Sequence, residues 1–286
     1  MQNKLNLARQ PIINHQNDIL GYEFFYRDAQ GKCSIDDPRH ATSSVLVNLL
    51  NQIGTALSFG NKLAFINTDG PLLLTEVIRT LPKAKIIFEL SSSMRHTKQI
   101  HDAIRYYHSQ GYRFALDNAS LNPQYIESFA PIFPYMEFAK FDVTQTDSEE
   151  FQYCPNPYGK MRLIAYKIEF NEIFEAYKQF NFHYFQGYYF EKPHLITQKR
   201  IDPKNIHVLS LFSLLQTDAP VHKICEIFER ENALYVQLMQ FLSSTNTVHT
   251  YDTSSIQETI KQMGRIALTQ WLLLIIYSKS GTMAND

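Results

Sequence analysis

The sequence predicts an α/β fold: a (β/α)8-type barrel with an irregular first hairpin, followed by a smaller all-α module. Three observations predict it. Short apolar runs alternate with helix-patterned segments as far as about residue 190, and that alternation specifies a parallel sheet with helices packed outside it. Two apolar runs at the start are separated only by NHQND, residues 14–18, which is turn material between hairpin arms. Beyond residue 205 the strand signals mostly stop and helical spacing takes over. An open doubly wound sheet is the competing architecture, but no GxGxxG or Walker-type glycine loop supports nucleotide binding of that kind.

Each element has its own signal. Residues 5–13 and 19–26 are the hairpin arms. A helix is predicted over 41–57, where Val45, Leu46, Leu49, Leu50, Ile53 and Leu57 recur at helical spacing. Strands are predicted at 63–67, 85–90, 112–118, 137–143, 162–168 and 184–190, and helices at 72–81, 97–109, 123–129 and 171–180. Asp69, Gly70 and Pro71 form a helix start, with proline in the first turn. The polar stretch 192–205, which holds Pro193 and Pro203, reads as a boundary. The expected division is a barrel over 1–195 and a helical module over 196–286. In the latter, helices are predicted at 206–215, 221–228, 233–242, 255–263 and 267–278, with Ser254 and Ser255 as candidate N-caps.

Composition narrows the function classes. The 286 residues are 44% apolar, enough for a sizeable core, and 27 Lys and Arg balance 28 Asp and Glu. That balance gives no bulk electrostatic reason to expect nucleic acid or an anionic membrane as partner. The aromatics, 20 Phe and 17 Tyr, are expected mostly in the core. Cys33, Cys154 and Cys225 are scattered, without CxxC or Cys/His metal spacing, as fits a reducing compartment. The N-terminal stretch lacks the apolar core of a signal peptide, and the longest apolar run, 271–277, is too short to span a bilayer. The expectation is a soluble cytoplasmic protein without membrane insertion.

In a (β/α)8 barrel, function gathers at the C-terminal ends of the strands. The polar residues there are Asn67, Glu89, Asp117, Lys140, Asp142 and Gln186, with Glu23 in the second hairpin arm. Carboxylates and amides converging from separate strands are the hard oxygen ligands a divalent ion requires. A lysine among them suits a phosphate or a metal-bound hydroxide. Any one such residue is by itself an ordinary cap or turn residue; the joint spacing raises the functional reading.

That spacing carries a resemblance. ARQPIINHQNDILGYEFFYR resembles the start of EAL domains, the cyclic di-GMP phosphodiesterase family, with Glu23 to Phe25 in place of Glu-Ala-Leu. FIN, ending in Asn67, is similar to the family's asparagine strand. FELSSS resembles its E-L-T-E segment, FALDNAS its D-D-F-G, AKFDV its K-I-D, LIAYKIEF its A-E-G-V-E, and FQGYYFEKP its Q-G-Y-x-F-x-x-P. The seven segments keep the family's order from about residue 7 to 193. The helical remainder resembles, on a weaker pattern, an HDOD output module, and looks shorter than a full one. It contains no His-Asp dipeptide, so no HD-type metal site is expected.

The resemblance implies a two-metal phosphodiester hydrolysis in active relatives. It places Glu23, Asn67, Glu89 and Asp117 at metal-ligand positions, and Arg27, Lys140 and Gln186 at ligand-contacting or functional ones. Three departures count against catalysis: Asn118 stands for the second aspartate of D-D, Tyr166 for the first glutamate of A-E-G-V-E, and Ser92 for the second glutamate of E-L-T-E. No intact catalytic set is therefore expected, because a neutral tyrosine is a poor base at pH 7. The expectation is a degenerate EAL–HDOD signalling protein, not an enzyme, that acts through contact with unidentified signalling proteins, with cyclic di-GMP binding and a homodimer left open. No cofactor is expected, and weak Mg2+ or Mn2+ binding at the residual site is left open. A non-hydrolysing cyclic di-GMP receptor and a slow phosphodiesterase are the alternatives.

Overall fold

A computed structural model describes residues 4–27, 62–74, 78–79, 81, 83–146, 148–153, 158–199, 205–244 and 255–280. The predicted helix at 41–57 lies outside these residues, as do Cys33 and Cys154.

The chain opens with the expected hairpin, β1 (Lys4–Ile13) and β2 (Ile19–Arg27), paired antiparallel. Its turn is held by the Asn14 side chain, whose Oδ1 accepts from the backbone N–H groups of Gln16 and Asp18. Asn17 takes a left-handed φ of 63° there, a conformation that asparagine tolerates better than most residues.

From β2 the sheet runs parallel through β3 (Leu63–Thr68), β4 (Ile86–Ser91), β5 (Arg113–Asp117), β6 (Met136–Asp142), β7 (Arg162–Tyr166) and β8 (Tyr184–Phe185). β1 closes the barrel, pairing antiparallel with β2 on one side and with β8 on the other, where Ile13 faces Phe185. The result is a closed eight-stranded barrel whose irregular member is the first arm of the hairpin.

Helices cover the barrel between strands. α1 (Gly70–Leu73) starts where Asp69 and Pro71 predict, the Asp69 side chain accepting from Leu72 N–H at 2.9 Å. Of the helix expected over 72–81, only this first turn and short segments around 78–81 fall in the described residues. α2 (Lys98–Ser109) is capped by Thr97 and buries Ile100, Ile104 and Tyr107, one stripe of a 3.6-residue period. α3 (Pro123–Phe129) is capped by Asn122, α4 is the single turn Glu150–Tyr153, and α5 spans Asn171–Lys178.

The barrel interior is filled by Ile12, Phe65, Ile87, Ala115, Phe138 and Ile164, all fully buried. The residues between them, such as Phe88, Phe114, Leu116 and Phe141, are equally buried on the sheet's outer face under the helices. Both faces are dry, which is why the strands read as continuous apolar runs instead of alternating with polar residues. Each phenyl buried this way stabilises the fold by roughly 1.5–3 kcal/mol.

Two segments differ from the sequence reading. The run 184–190 is a strand only over Tyr184–Phe185; the chain then turns, with Gly187 against Ile168 so closely that a Cβ would strike the Ile168 backbone. The polar stretch 192–205 carries a strand, β9 (His194–Lys199), which pairs antiparallel with β1 from Arg9↔His194 to Lys4↔Lys199. Since β8 meets β1 only at Ile13, the first half of β1 would otherwise present an unpaired edge, and β9 satisfies its backbone groups.

The C-terminal part is helical as expected: α6 (Asn205–Gln216), α7 (Val221–Arg230), α8 (Asn232–Ser244) and α9 (Ile256–Ser280). Ser255 caps α9, accepting from Glu258 N–H at 3.1 Å. Gly264, with φ 76° and ψ 161°, breaks α9 between the two predicted helices. The helices bury Leu211, Ile224, Leu238, Leu268 and Trp271, the last stacked on Phe228. Among the described residues, no helix is long and apolar enough to cross a membrane.

Candidate functional site at the barrel mouth

One rule of strand geometry builds the site. Side chains on a strand alternate, so residues two apart share a face. Counting two positions toward the C-terminus from the apolar plug gives Phe65→Asn67, Ile87→Glu89, Ala115→Asp117, Phe138→Lys140, Ile164→Tyr166 and Tyr184→Gln186 as face-sharing pairs. On antiparallel β1 the count runs the other way, from Ile12 to Gln10. A polar layer therefore sits directly above the apolar one, and it contains nearly every residue singled out from sequence.

Lys140 is its centre. The Nζ lies 2.7 Å from Glu23 Oε2, 2.6 Å from Glu89 Oε1 and 3.7 Å from Asp117 Oδ1. Glu23 also accepts from Asn67 Nδ2 at 3.2 Å and from Gln186 Nε2 at 2.8 Å. Gln10, which sequence reasoning missed, joins the layer by accepting from Gln186 Nε2 at 3.3 Å, while its own amide donates to the Glu191 carbonyl. Its inward register on β1 was the available signal. Glu23, Glu89, Lys140 and Gln186 are all buried, so these contacts are little screened by solvent.

The charges tune one another. Burial works to lower the Lys140 pKa, but Glu23, Glu89 and Asp117 outweigh it and hold the amine well above its ordinary value, as an ammonium. Burial, reinforced by Glu23, pushes the Glu89 carboxyl well above the usual carboxylate range, against the pull of Lys140. Burial likewise raises Asp117, with Lys140 opposing.

Tyr166 lies in the same layer, its ring 5.1 Å from Lys140 Nζ. Burial, then the neighbouring Asp117 charge, raises its phenol above an already high pKa; at pH 7 it is neutral and cannot serve as a general base. Lys167, also missed from sequence, pairs with Asp142 at 2.6 Å and approaches the outer side of the Tyr166 ring. Asp142 accepts further bonds from Thr144 and Gln145, so its carboxylate caps the turn after β6 and is turned away from the Lys140 cluster's hydrogen bonds.

The loop after β5 is built by the other two substituted positions. Asn118 takes a left-handed φ of 53° and its amide reaches Ser92 Oγ at 3.5 Å, at the limit of a hydrogen bond. Ser92 holds the strand end more firmly through its backbone N–H, which donates to the Asp117 carbonyl. Arg27 ends β2, and its side chain lies outside the described residues.

The barrel fold has counterparts among known structures. The chain superposes on an EAL domain protein from Listeria monocytogenes with a TM-score of 0.51, over 67% of this chain and 89% of that one, at 17% identity. The fold is that of EAL-domain proteins. The EAL-type barrel also matches the manganese/cyclic di-GMP complex of BlrP1 from Klebsiella pneumoniae, with a TM-score of 0.53 over 68% of this chain and 57% of that one, at 14% identity. In sequence, the chain is 25% identical over 281 residues to the cyclic di-GMP phosphodiesterase CdgJ of Vibrio cholerae, an alignment that covers 95% of this chain and 64% of CdgJ. It thus spans less than two thirds of that relative's length. No protein-family model matches the chain.

An EAL-type barrel raises the question of divalent metal. A metal shared by Glu23 and Glu89 would need an oxygen of each at about 2.0–2.6 Å. Glu23 Oε2 and Glu89 Oε1 both accept from the Lys140 ammonium, and the second oxygen of Glu23 takes the Asn67 amide. Among the described residues, no group of three or more His, Cys, Asp or Glu is arranged to hold a metal ion. The other oxygen of Glu89, Oε2, is buried without a hydrogen-bond partner among the described residues, so one carboxylate oxygen of the pair is left uncommitted.

Proposed function

We propose that this chain is a degenerate EAL-type signalling protein that recognises a protein partner without turning over cyclic di-GMP. The observation that carries the reading is the ammonium of Lys140 set between Glu23 and Glu89, with the neutral Tyr166 ring beside it. Hydrolysis of a phosphodiester needs an activated water and stabilisation of developing charge; the mouth offers a lysine whose donors are committed to carboxylates and a phenol that cannot take a proton at neutral pH. With base and metal ligands altered together, the loss is cumulative because such a site acts as a unit.

The rim supports recognition. Phe170, after β7, is 63% exposed, and Tyr188 and Tyr189, after β8, are 52% and 42% exposed. Tyr189 is held in place by stacking on Phe174 and by donating to Asn171 Oδ1. Ordered, exposed aromatics are favoured interface anchors. In this reading the helices beyond residue 205 form an HDOD-like module that relays or receives the contact, and the protein acts in the cytoplasm.

The test is product release. Purified protein incubated with cyclic di-GMP and Mg2+ or Mn2+ should yield no linear pGpG above the protein-free blank. Release that disappears in Glu23→Ala would overturn the reading. A non-hydrolysing cyclic di-GMP receptor is the second reading, supported by the ligand in the BlrP1 complex of the same fold; saturable heat on titration with cyclic di-GMP, without product, would favour it instead.

A further inference from the structure

We infer that the floor of the barrel, at the end opposite the mouth, holds a separate binding site that takes an organic phosphate of mononucleotide size on Arg113, Lys160 and Arg162. The site is a cavity of about 630 Å3, a volume within the range of small-molecule sites. It is lined from the N-terminal ends of β5, β6 and β7 and from the loops that lead into them.

Strand register builds this floor as it builds the mouth. Two positions before Ala115 and Ile164, both in the apolar plug, stand Arg113 and Arg162, so both guanidinium groups start from the inward face. Between their strands β6 carries a bulge. Phe114 pairs with Met136 but Ala115 with Phe138, which leaves Glu137 as the extra residue. A bulge re-aims a side chain, and Glu137 meets both arginines. Arg113 donates to Oε2 through Nε at 2.6 Å and to Oε1 through Nη2 at 2.7 Å, and Arg162 pairs with the same Oε1.

Charge decides what the cavity would hold. A structural ion pair needs no more than Arg113 and Glu137. Arg162 and the exposed Lys160 are in excess: three cationic side chains against one carboxylate leave two positive charges in the lining. A phosphate monoester carries a charge of about −1.5 to −2 at pH 7, which matches that excess, whereas a single carboxylate would leave half of it unmet. Guanidinium forks also suit phosphate oxygens. Arg162 is held for that task, its guanidinium 4.4 Å from the centre of the Phe138 ring. Burial pulls the Arg113 pKa below its ordinary value, with Tyr184 opposing, and an anion beside it would offset that burial. The carbonyl end of α2, which would repel an anion, is covered where Lys83 Nζ donates to the Gln110 carbonyl at 2.8 Å. The rest of the lining includes Phe133, Tyr135, Met136 and Met161, an apolar and aromatic surface that suits a flat ring. A phosphate at one end and a flat ring at the other are the two halves of a mononucleotide.

The experiment is a calorimetric titration of the full chain with AMP, with inorganic phosphate and adenosine as separate arms, in about 0.15 M NaCl. AMP should bind saturably with a Kd below about 1 mM, and inorganic phosphate and adenosine each at least about tenfold more weakly. Arg162→Gln should weaken AMP at least about tenfold, and Lys160→Gln about threefold. Lys160 is on the surface, so its variant keeps the test decisive should Arg162→Gln not fold.

No saturable AMP binding by wild type would overturn the inference. So would AMP binding that a folded Arg162→Gln or Lys160→Gln leaves unchanged, since the ligand would then sit elsewhere. Equal affinity for inorganic phosphate or for adenosine would overturn it as well, because one half of the site would then contribute nothing. The inference goes beyond the recognition reading and uses none of its residues; turnover of cyclic di-GMP would sink that reading and leave this one standing.

Discussion

Asn118 combines a local conformation with a chemical substitution. Its left-handed φ of 53° suits asparagine, and its backbone N–H donates to the Asp117 carboxylate, helping offset the burial that raises that group's pKa. Aspartate also tolerates this region, so Asn118→Asp should fold. It should not create activity, because Tyr166 remains neutral and Lys140 still bridges Glu23 and Glu89. The expected outcome is pGpG release indistinguishable from wild type by chromatography; a clear gain would show that position 118 alone limits turnover. Residues at this scale were legible to differing degrees. Glu23, Asn67, Glu89, Asp117, Lys140 and Gln186 announced themselves as polar groups at the ends of apolar runs. Gln10 and Lys167 did not, since one lies within an antiparallel strand, where only its register marks it, and the other in a loop, where nothing local marks a mouth-facing side chain.

Elements show where close approach replaces hydrogen-bonded regularity. After β8 the chain turns at Gly187, and its backbone is stitched to the loop after β7: Ile168 N–H donates to the Gln186 carbonyl and Tyr189 N–H to that of Ile168. A methyl group on residue 187 would collide with the Ile168 backbone, which cannot rotate away as a side chain can. Gly187→Ala should therefore cost about 1–3 kcal/mol or more through overpacking, measured as a lowered urea midpoint at unchanged m-value. A loss below about 0.5 kcal/mol would mean that the loop moves freely. Because Gln186 and the exposed Tyr188 and Tyr189 flank this glycine, the same substitution should disturb the rim. The shortening of β8 was not legible because aromatic-rich QGYYF satisfies β-propensity, while the tertiary contact at Gly187 overrides it.

For the whole molecule, barrel closure decides which charges meet. Glu23 and Lys140 are 117 residues apart, and Glu23 and Gln186 are 163 apart, so their contact exists only when β1 seals the sheet between β2 and β8. The helical part buries Trp271, 3% exposed and packed on Phe228. Trp271→Ala should remove about 3–5 kcal/mol of stability by transfer and cavity terms, read from denaturant unfolding followed by circular dichroism; a loss under about 1 kcal/mol would place the residue outside any tight core. Trp271 is the single tryptophan of the chain.

By itself, the sequence determined the α/β barrel, most helix positions and the roster of polar residues at the strand ends. Periodicity, caps and turn residues are local properties, and a two-residue repeat is enough to say which side chains share a face. Only the tertiary structure decided that β9 completes the edge of β1 within a stretch that reads as a boundary, and that Lys140 lies among three carboxylates instead of merely beside them. Both depend on segments far apart in the chain meeting around a closed ring. The electrostatics of the mouth follow from that closure, because burial turns a list of charged residues into a cluster in which each group sets the proton affinity of the others.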